Sequence, residues 1–296
     1  MTAATPIPSI GSQEMLVSIY MPTKNRPDLL RRAVASVLNQ THRELELLIV
    51  DDGSTDDTPA VLKALAEQDQ RIRFFRNERS KGAPFSRNIA ISAARGQWIT
   101  GLDDDDTFMP ERVAALLAYW QLLETIGVEF SCIFTQDIYD DGKKISYSNK
   151  HGTVAWKDLL EYNVVGNQIF TLTDRLKSCG MFDVDMPAWQ DFDLFMRVLK
   201  KFGPAKLLDS ALYRLSIDER PDRISRSKKE RIISAFERLS AKHPEIENWQ
   251  RQLLFLQVFG SLYSHRPGPA DIAKFLTYGW NYANAKRLLR SLVGRY

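Results

Sequence analysis

Short apolar runs of strand length alternate with stretches of helical periodicity through the first 125 residues, and this alternation narrows the fold more than any other feature. Leu16 to Tyr20, Leu45 to Val50, Ile72 to Phe75 and Trp98 to Leu102 each read as a buried strand. Between the first two, Leu30, Val34, Val37 and Leu38 recur at helical spacing behind Pro27, whose missing N–H is not needed in a first helical turn. Val61, Leu62 and Leu65 mark a second helix, and residues 84 to 94 a third. Val113, Leu116, Leu117 and Trp120 mark a fourth, which starts after Pro110. Strands separated by single helices pair in parallel, so the expectation is an α/β fold on a largely parallel sheet.

The remainder is less regular. Residues 1 to 14 are polar with Pro and Ser, the composition of a flexible arm. Phe130 to Phe134 predicts a strand, Asp141-Gly142 a hairpin turn, and Asp174 the cap of a short helix that Gly180 ends. A helix is expected from near Asp191 to Gly203, and a strand from Lys206 to Tyr213. From about residue 226 the pattern is helical, interrupted near Pro244, Pro267 and Gly279. The chain accordingly divides into a domain over 15–222, with halves 15–125 and 126–222, and a helical C-terminal region over 223–296.

Composition removes several function classes. A net charge of +3 on 296 residues is too small a basic bias for a nucleic-acid binder. The 2 cysteines, Cys132 and Cys179, lie far apart without CxxC spacing, which argues against a disulfide framework or a zinc site and fits a reducing cytosol. No segment approaches the roughly 20 consecutive apolar residues of a spanning helix. The N-terminus has neither the charged start nor the apolar run of a signal peptide. A cytoplasmic protein is expected. Near the C-terminus Arg266, Lys274, Lys286, Arg287, Arg290 and Arg295 interleave with Trp280, Tyr282 and Tyr296. That stretch suits either peripheral contact with the inner membrane or a helix packing its aromatic face on the main domain.

The chemistry concentrates where strands end. Gly96-Gln97-Trp98-Ile99-Thr100-Gly101-Leu102 leads into Asp103, Asp104, Asp105 and Asp106, at the strand end where open α/β sheets bind ligands. Adjacent carboxylates repel one another unless a cation neutralises them. Mg2+ or Mn2+ would do so, using one or two carboxylates plus phosphate oxygens. The plain alternative is an acidic, solvated turn. Val50-Asp51-Asp52-Gly53-Ser54-Thr55-Asp56 sets aspartates beyond a second strand, able to accept from a base N–H or a ribose hydroxyl, or simply to form a turn. Pro22-Thr23-Lys24-Asn25-Arg26-Pro27 follows the first strand and could face a nucleotide with its polar groups and helix N-terminus. It is neither GxGxxG nor a Walker A loop, so dehydrogenase and P-loop readings lose support.

Taken in order, PTxNR, VDDGSTD, Lys81-Gly82 with Ser86-Arg87-Asn88, and LDDDD resemble the family 2 glycosyltransferases over about residues 15 to 125. The resemblance implies the GT-A fold, a Rossmann-like mixed sheet flanked by helices, here followed by the C-terminal helical appendage. It implies that Asp52, or else Asp51, contacts the uracil, and that Pro22, Thr23, Asn25 and Arg26 line the nucleotide pocket. Arg87 would lie near the donor pyrophosphate. The family's DxD falls on Asp103 and Asp105, with Asp104 between them in the nucleotide site. Asp105 would be the ligand of Mn2+ or Mg2+, and Asp106 completes the usual ending. Further on, Trp189-Gln190-Asp191-Phe192-Asp193-Leu194 resembles the segment that supplies the general base, a role that falls on Asp191. The alternative is that Asp191 caps its helix, and Asp193 is read as structural. One departure stands out. Where relatives carry a histidine after the Tyr-Arg pair, this chain has Ser216, with Arg214 or Arg220 available to compensate electrostatically.

The implied activity is an inverting, metal-dependent transfer of a hexosyl or N-acetylhexosaminyl group from a UDP-sugar. The acceptor would be a hydroxyl of a glycan or lipid-linked oligosaccharide in bacterial surface polysaccharide synthesis. A nucleotidyltransferase would want a glycine-rich N-terminal loop, which PTKNR is not. A catalytically silent nucleotide-sugar or glycan-binding protein would not need both Asp105 and Asp191.

Overall fold

The computed structural model describes residues 15–166, 168–217, 228–260, 263 and 265–292. The expected arm over 1–14 and the 222/223 boundary lie outside the described residues. The first sheet contains β1 (Val17–Thr23), β2 (Leu45–Asp51), β3 (Ile72–Arg76), β4 (Trp98–Gly101) and, from much later in the chain, β9 (Thr171–Leu172). Its order is β3-β2-β1-β4-β9, parallel except for β9. Alternating side chains of the central strands feed two cores. Ile19, Met21, Leu47 and Ile49 pack with Leu30 and Val34 of α1 (Pro27–Leu38). Tyr20, Leu48 and Val50 pack with Ala90 and Ile91 of α3 (Ala83–Ala93), which follows α2 (Thr58–Gln68). Burial on both faces is why these strands read as apolar runs rather than as alternating patterns.

The strand order reverses direction between β1 and β4, and a crevice opens at the carboxyl ends of strands at such a switch point. Side chains from β1 and from the segment before β9 cover the strand there. A Cβ on Gly101 would stand 2.0 Å from Gln168 Oε1 and 2.4 Å from the Tyr20 ring, so only glycine fits.

The second sheet is built on a long strand. It comprises β5 (Thr107–Phe108), β6 (Cys132–Asp140), β7 (Ile145–Tyr147), β8 (Thr153–Val154) and β10 (Ala205–Ser216), and α4 (Arg112–Thr125) lies between β5 and β6. The strand β10 runs parallel to β6 and antiparallel to β5 and β8, with register shifts between Leu208 and Ala211 and between Ala211 and Tyr213. Because β5 immediately follows the four aspartates, its pairing with β10 fixes where they lie. Two expectations are corrected here. The strand predicted over Phe130 to Phe134 begins at Cys132 and continues to Asp140. Its second half carries buried Gln136 and Asp137, satisfied by Ser148 and Lys150, so it does not look like a strand in sequence. The helix α5 (Thr173–Ser178) starts behind Leu172, and Asp174 sits in its first turn without capping it. The hairpin at Asp141-Gly142 and the helix stop at Gly203 lie where expected.

The C-terminal helices are not a detached appendage. Phe236 of α7 (Lys229–Lys242), Phe255 of α8 (Asn248–Leu256), Phe259 and Phe275 of α9 (Pro269–Thr277) join one core with Phe195 and Leu199 of α6 (Gln190–Phe202). Each such burial is worth about 1.5–3 kcal/mol. The last helix, α10 (Tyr282–Leu292), buries Asn284, Leu288 and Ser291. Its aromatic neighbours do not pack: Trp280 is 75% and Tyr282 76% exposed. No described helix is long and apolar enough to cross a membrane.

One polar contact ties α6 to α7. The Asp193 carboxylate is wholly buried and accepts from Arg197 at 2.7 Å and Lys242 at 2.8 Å. Removing it takes a charged partner from Arg197, which keeps the Cys179 and Met181 carbonyls, and from Lys242, which keeps Asp183. Asp193→Ala is expected to cost about 2 kcal/mol, read from a chemical-denaturation midpoint; an unchanged midpoint would show that the helices dock without it.

Candidate active site

Three loops meet at the crevice between β1 and β4. Thr23, the last residue of β1, donates its hydroxyl to Asp104 Oδ2 at 2.7 Å. Arg26 reaches the same carboxylate at 2.9 Å and lies 3.6 Å from Asp105 Oδ2. Asn25 takes a left-handed conformation with φ 52°, which turns its amide toward Ser54 Oγ at 2.8 Å and its side-chain oxygen toward the Thr55 amide at 2.8 Å. The PTKNR and DDGSTD segments are thereby knitted together behind Pro22, which pairs with Val50 across the sheet.

The two aspartates after β2 differ sharply. Asp51 is fully buried; its Oδ1 accepts from the Ser54 amide at 2.9 Å and its Oδ2 lies 3.2 Å from Arg76 Nε. Asp52 accepts from the side chains of Asn77, Ser80 and Ser86 and from the amides of Lys81 and Gly82. Burial opposes its ionisation, but those amides and side chains overcome the penalty and hold its pKa below the ordinary carboxylate value. Asp52 therefore organises the 77–86 segment that leads to Arg87, a role invisible in the motif itself. Gly53, at φ 73°, lets that segment pass: a Cβ there would meet Ser80 N at 2.8 Å.

The four aspartates divide in function. Asp104 is buried, and burial raises its carboxyl to about 6, against the opposing pull of Arg26 and Thr23. Asp106 is buried too; burial, then Asp105 and Asp103, push it well above the ordinary carboxylate value. The Tyr213 hydroxyl donates to Asp106 at 2.9 Å and accepts from the Asp103 amide at 3.3 Å, so β10 holds the motif by both ends. Arg112, fully buried, lies over the Tyr213 ring at 5.1 Å and supports it from behind. Asp103 and Asp105 remain at the crevice, 24% and 19% exposed in their side chains. Among the described residues no three His, Cys, Asp or Glu side chains converge as a metal cluster. The residues present fit a cation of another kind. Magnesium-type ions take one or two protein carboxylates and complete their shell with phosphate oxygens and water. Asp105 is placed for that, and Arg26 already bridges it to Asp104 as a neutralising charge.

Arg87 joins the two halves of the site. It rises from α3, only 4% exposed, donates to Asp103 Oδ1 at 2.8 Å and stands 3.5 Å from Asp191 Oδ1. Its guanidinium lies 5.2 Å over the Phe182 ring. Burial alone would favour its neutral form, yet Asp191 and Asp103 reverse that and keep it charged. Asp191 is the second residue of α6 and does not cap it: Trp189 is the capping position and no side-chain cap bond is made. Burial raises the Asp191 carboxyl to about 6, with Arg87 opposing and Asp103 adding to the rise. Arg87 Nε and Nη1 and Asp191 Oδ1 are buried atoms without a hydrogen bond among the described residues.

Ser216, the departure from the family's histidine, lies against the acidic motif. Its amide donates to Asp106 at 3.0 Å and its hydroxyl accepts from Arg32 at 2.8 Å. Arg32 also donates to the Asp105 carbonyl at 2.6 Å. The cation beside Ser216 is Arg32 of α1; Arg214 lies 3.6 Å from Asp140, and Arg220 lies outside the described residues. Arg32 carries no motif signal, because the contact spans 184 residues.

Known proteins share the sequence and the fold. The sequence model described as "Glycosyl transferase family 2" matches residues 18–178. A glycosyl transferase of Escherichia coli (strain K12), WcaA, provisionally assigned to colanic acid biosynthesis, is 33% identical over 282 residues, 95% of this chain and 98% of that protein. Among solved structures, S. aureus TarS 1-349 in complex with UDP-GlcNAc superimposes with a TM-score of 0.67 at 16% identity, covering 94% of this chain and 80% of that one. The mannosyltransferase PcManGT from Pyrobaculum calidifontis, in complex with GDP-Man and Mn2+, gives 0.53 at 17% identity, over 94% and 73% of the two chains. These structural likenesses establish the GT-A fold. With a family match over more than half its length and a relative matched almost end to end, the chain belongs to glycosyl transferase family 2.

Proposed function

We propose that this glycosyltransferase is an inverting, metal-dependent enzyme that moves a sugar from a UDP-sugar to a hydroxyl of a glycan or lipid-linked oligosaccharide in surface polysaccharide synthesis. One observation carries the reading. Buried Arg87 Nη1 and Asp191 Oδ1 meet at the switch point as an ion pair 3.5 Å apart that makes no hydrogen bond, and Arg87 Nε makes none among the described residues. Buried polar atoms are almost always hydrogen-bonded, so this loosely paired set supports a ligand that completes it. A diphosphate supplies acceptors for Arg87, and a hydroxyl supplies a donor for Asp191.

The reaction is a single displacement. The acceptor oxygen forms a bond to the anomeric carbon as the bond from that carbon to the diphosphate oxygen breaks. The hydroxyl proton passes to Asp191, and UDP leaves as the anion. Arg87 holds the departing charge from the protein side, while Asp103 orients Arg87. A bound Mn2+ or Mg2+ held by Asp105 supplies electrostatic stabilisation of the same leaving group. The uridine reading rests on Asp52 and on the UDP-GlcNAc complex of TarS; a base N–H would join, or displace, one of the donors Asp52 already accepts. The surface-polysaccharide reading rests on WcaA. The domain division at 222/223 stays part of this reading, with α7 to α10 as the C-terminal region. The outward side of α10, Tyr282, Lys286, Leu289 and Arg290, with Trp280 before it, supports contact with an anionic bilayer, because exposed aromatic and basic residues share it.

Three outcomes follow from these assignments. Asp191→Asn is expected to lower turnover about 10²–10⁴-fold with UDP affinity unchanged. Since the base works ionised and its carboxyl titrates at about 6, the wild-type rate should fall tenfold per unit as pH drops below about 6 and level off above it; a near-normal rate in Asp191→Asn would remove the base assignment. In calorimetry, UDP should bind more tightly with Mn2+ than with EDTA and more tightly than GDP, and Asp105→Ala should erase the metal effect. Equal UDP binding with and without metal would end the metal assignment, and equal UDP and GDP binding the uridine one. Sedimentation with phosphatidylglycerol vesicles should carry the protein down, and a Trp280→Ala, Tyr282→Ala double variant should remain in solution; if neither sediments the bilayer contact falls, and if both do its assignment to this surface falls.

A further inference from the structure

A second cavity, of about 680 Å³, opens beside Asp191 on the side away from the acidic motif. Its two walls come from distant parts of the chain. Tyr139, Tyr162 and Trp189 belong to the catalytic half, while Phe259, Tyr263 and Arg290 belong to the C-terminal region, Tyr263 in the turn ahead of α9. Two contacts hold those walls at a fixed spacing. Arg287 of α10 pairs with Glu161 at the rim. Deeper, the Trp189 indole N–H donates to the Tyr263 hydroxyl at 2.9 Å.

Trp189 itself is in an unusual state. Its backbone is left-handed, φ 58° and ψ 31°, immediately before α6 and two residues before Asp191. For a bulky aromatic this conformation is an outlier costing about 1–2 kcal/mol. Such strain persists only where surroundings enforce it, and it collects at functional sites. Here the enforcement is visible: its carbonyl accepts the Asp193 amide at 2.8 Å, and its indole is tied to Tyr263. The strained turn directs the indole into the cavity that Asp191 lines.

We infer that this cavity seats a saccharide acceptor, one pyranose face lying on the Trp189 indole, and that Tyr263 is the positioning residue holding that platform beside the base. A pyranose presents an apolar C–H face with hydroxyls around its edge. It matches a pocket in which the rings of Tyr139, Tyr162, Trp189, Phe259 and Tyr263 stand among carboxylate, amide and arginine side chains. The C-terminal helices are then half of the acceptor site. The inference rests on the glycosyltransferase reading for the role of the bound sugar, but not for its binding.

The test uses the full chain and a panel of methyl pyranosides as probes (glucoside, galactoside, N-acetylglucosaminide and glucuronide). Saturation-transfer NMR should show transfer to the ring protons of at least one, with signal down at least tenfold in Trp189→Gly. Glycine suits the left-handed backbone, so this variant removes the indole without new strain. Tyr263→Phe, which deletes one hydroxyl, should reduce the same signal several-fold. In a transfer assay it should raise the acceptor KM more than it lowers kcat, a split that general loosening would not give. UDP affinity is measured on each protein. Intact UDP binding with no saccharide transfer in wild type, or transfer unaffected by Trp189→Gly, overturns this inference alone. Saccharide transfer without UDP binding instead overturns the donor reading.

Discussion

A buried guanidinium between two carboxylates is the constraint on which the rest of the site depends. Arg87 comes from α3, Asp103 from the end of β4 and Asp191 from the start of α6, so one charge cross-links the first sheet to the later half of the chain. A buried cation is tolerated only with its counter-charges in place. Neither acid can therefore drift, and the separation between the two sides of the crevice is fixed by the length of a guanidinium. The backbone around it is shaped to allow this. Gly101 leaves room for the Tyr20 ring and the Gln168 side chain over β4, and Asp52 gathers the amides of the segment that launches α3.

The second support is β10. Tyr213 grips the acidic motif at Asp103 and Asp106, Arg112 backs Tyr213, and Ser216 completes the arrangement with Arg32. Asp106, held by β10, and Asp104, held by Thr23 and Arg26, are turned inward, although they look equivalent to Asp103 and Asp105 in sequence. The protein presents two of its four adjacent carboxylates to the crevice and uses the other two to hold the loop.

Much of this was legible in the sequence where the physics is local. The strands β1, β2 and β4 are buried on both faces and short, so they stand out as apolar runs, and the helices between the strands follow from spacing and from Pro27. The motif residues fall together because they sit at the ends of adjacent strands. What escaped the sequence depends on partners far along the chain. Gln136 and Asp137 look unlike strand residues until Lys150 and Ser148 satisfy them. Strands of two or three residues, such as β5 and β9, are too short to carry any period. The engagement of Asp52 by donors 25 to 34 residues away, and the meeting of Trp189 with Tyr263, have no signature in either neighbourhood.

The uneven pairing of β10 with β6 has a consequence of its own. Over the same stretch of ladder β10 spends 12 residues where β6 spends 9. The excess is taken up at the two register shifts, so that Ala205 pairs with Cys132 but Tyr213 with Asp137. The reach of Tyr213 to Asp103 and Asp106 is therefore set by those irregularities, and an insertion or deletion between Leu208 and Tyr213 would move the hydroxyl off the acidic motif while leaving the rest of the ladder paired.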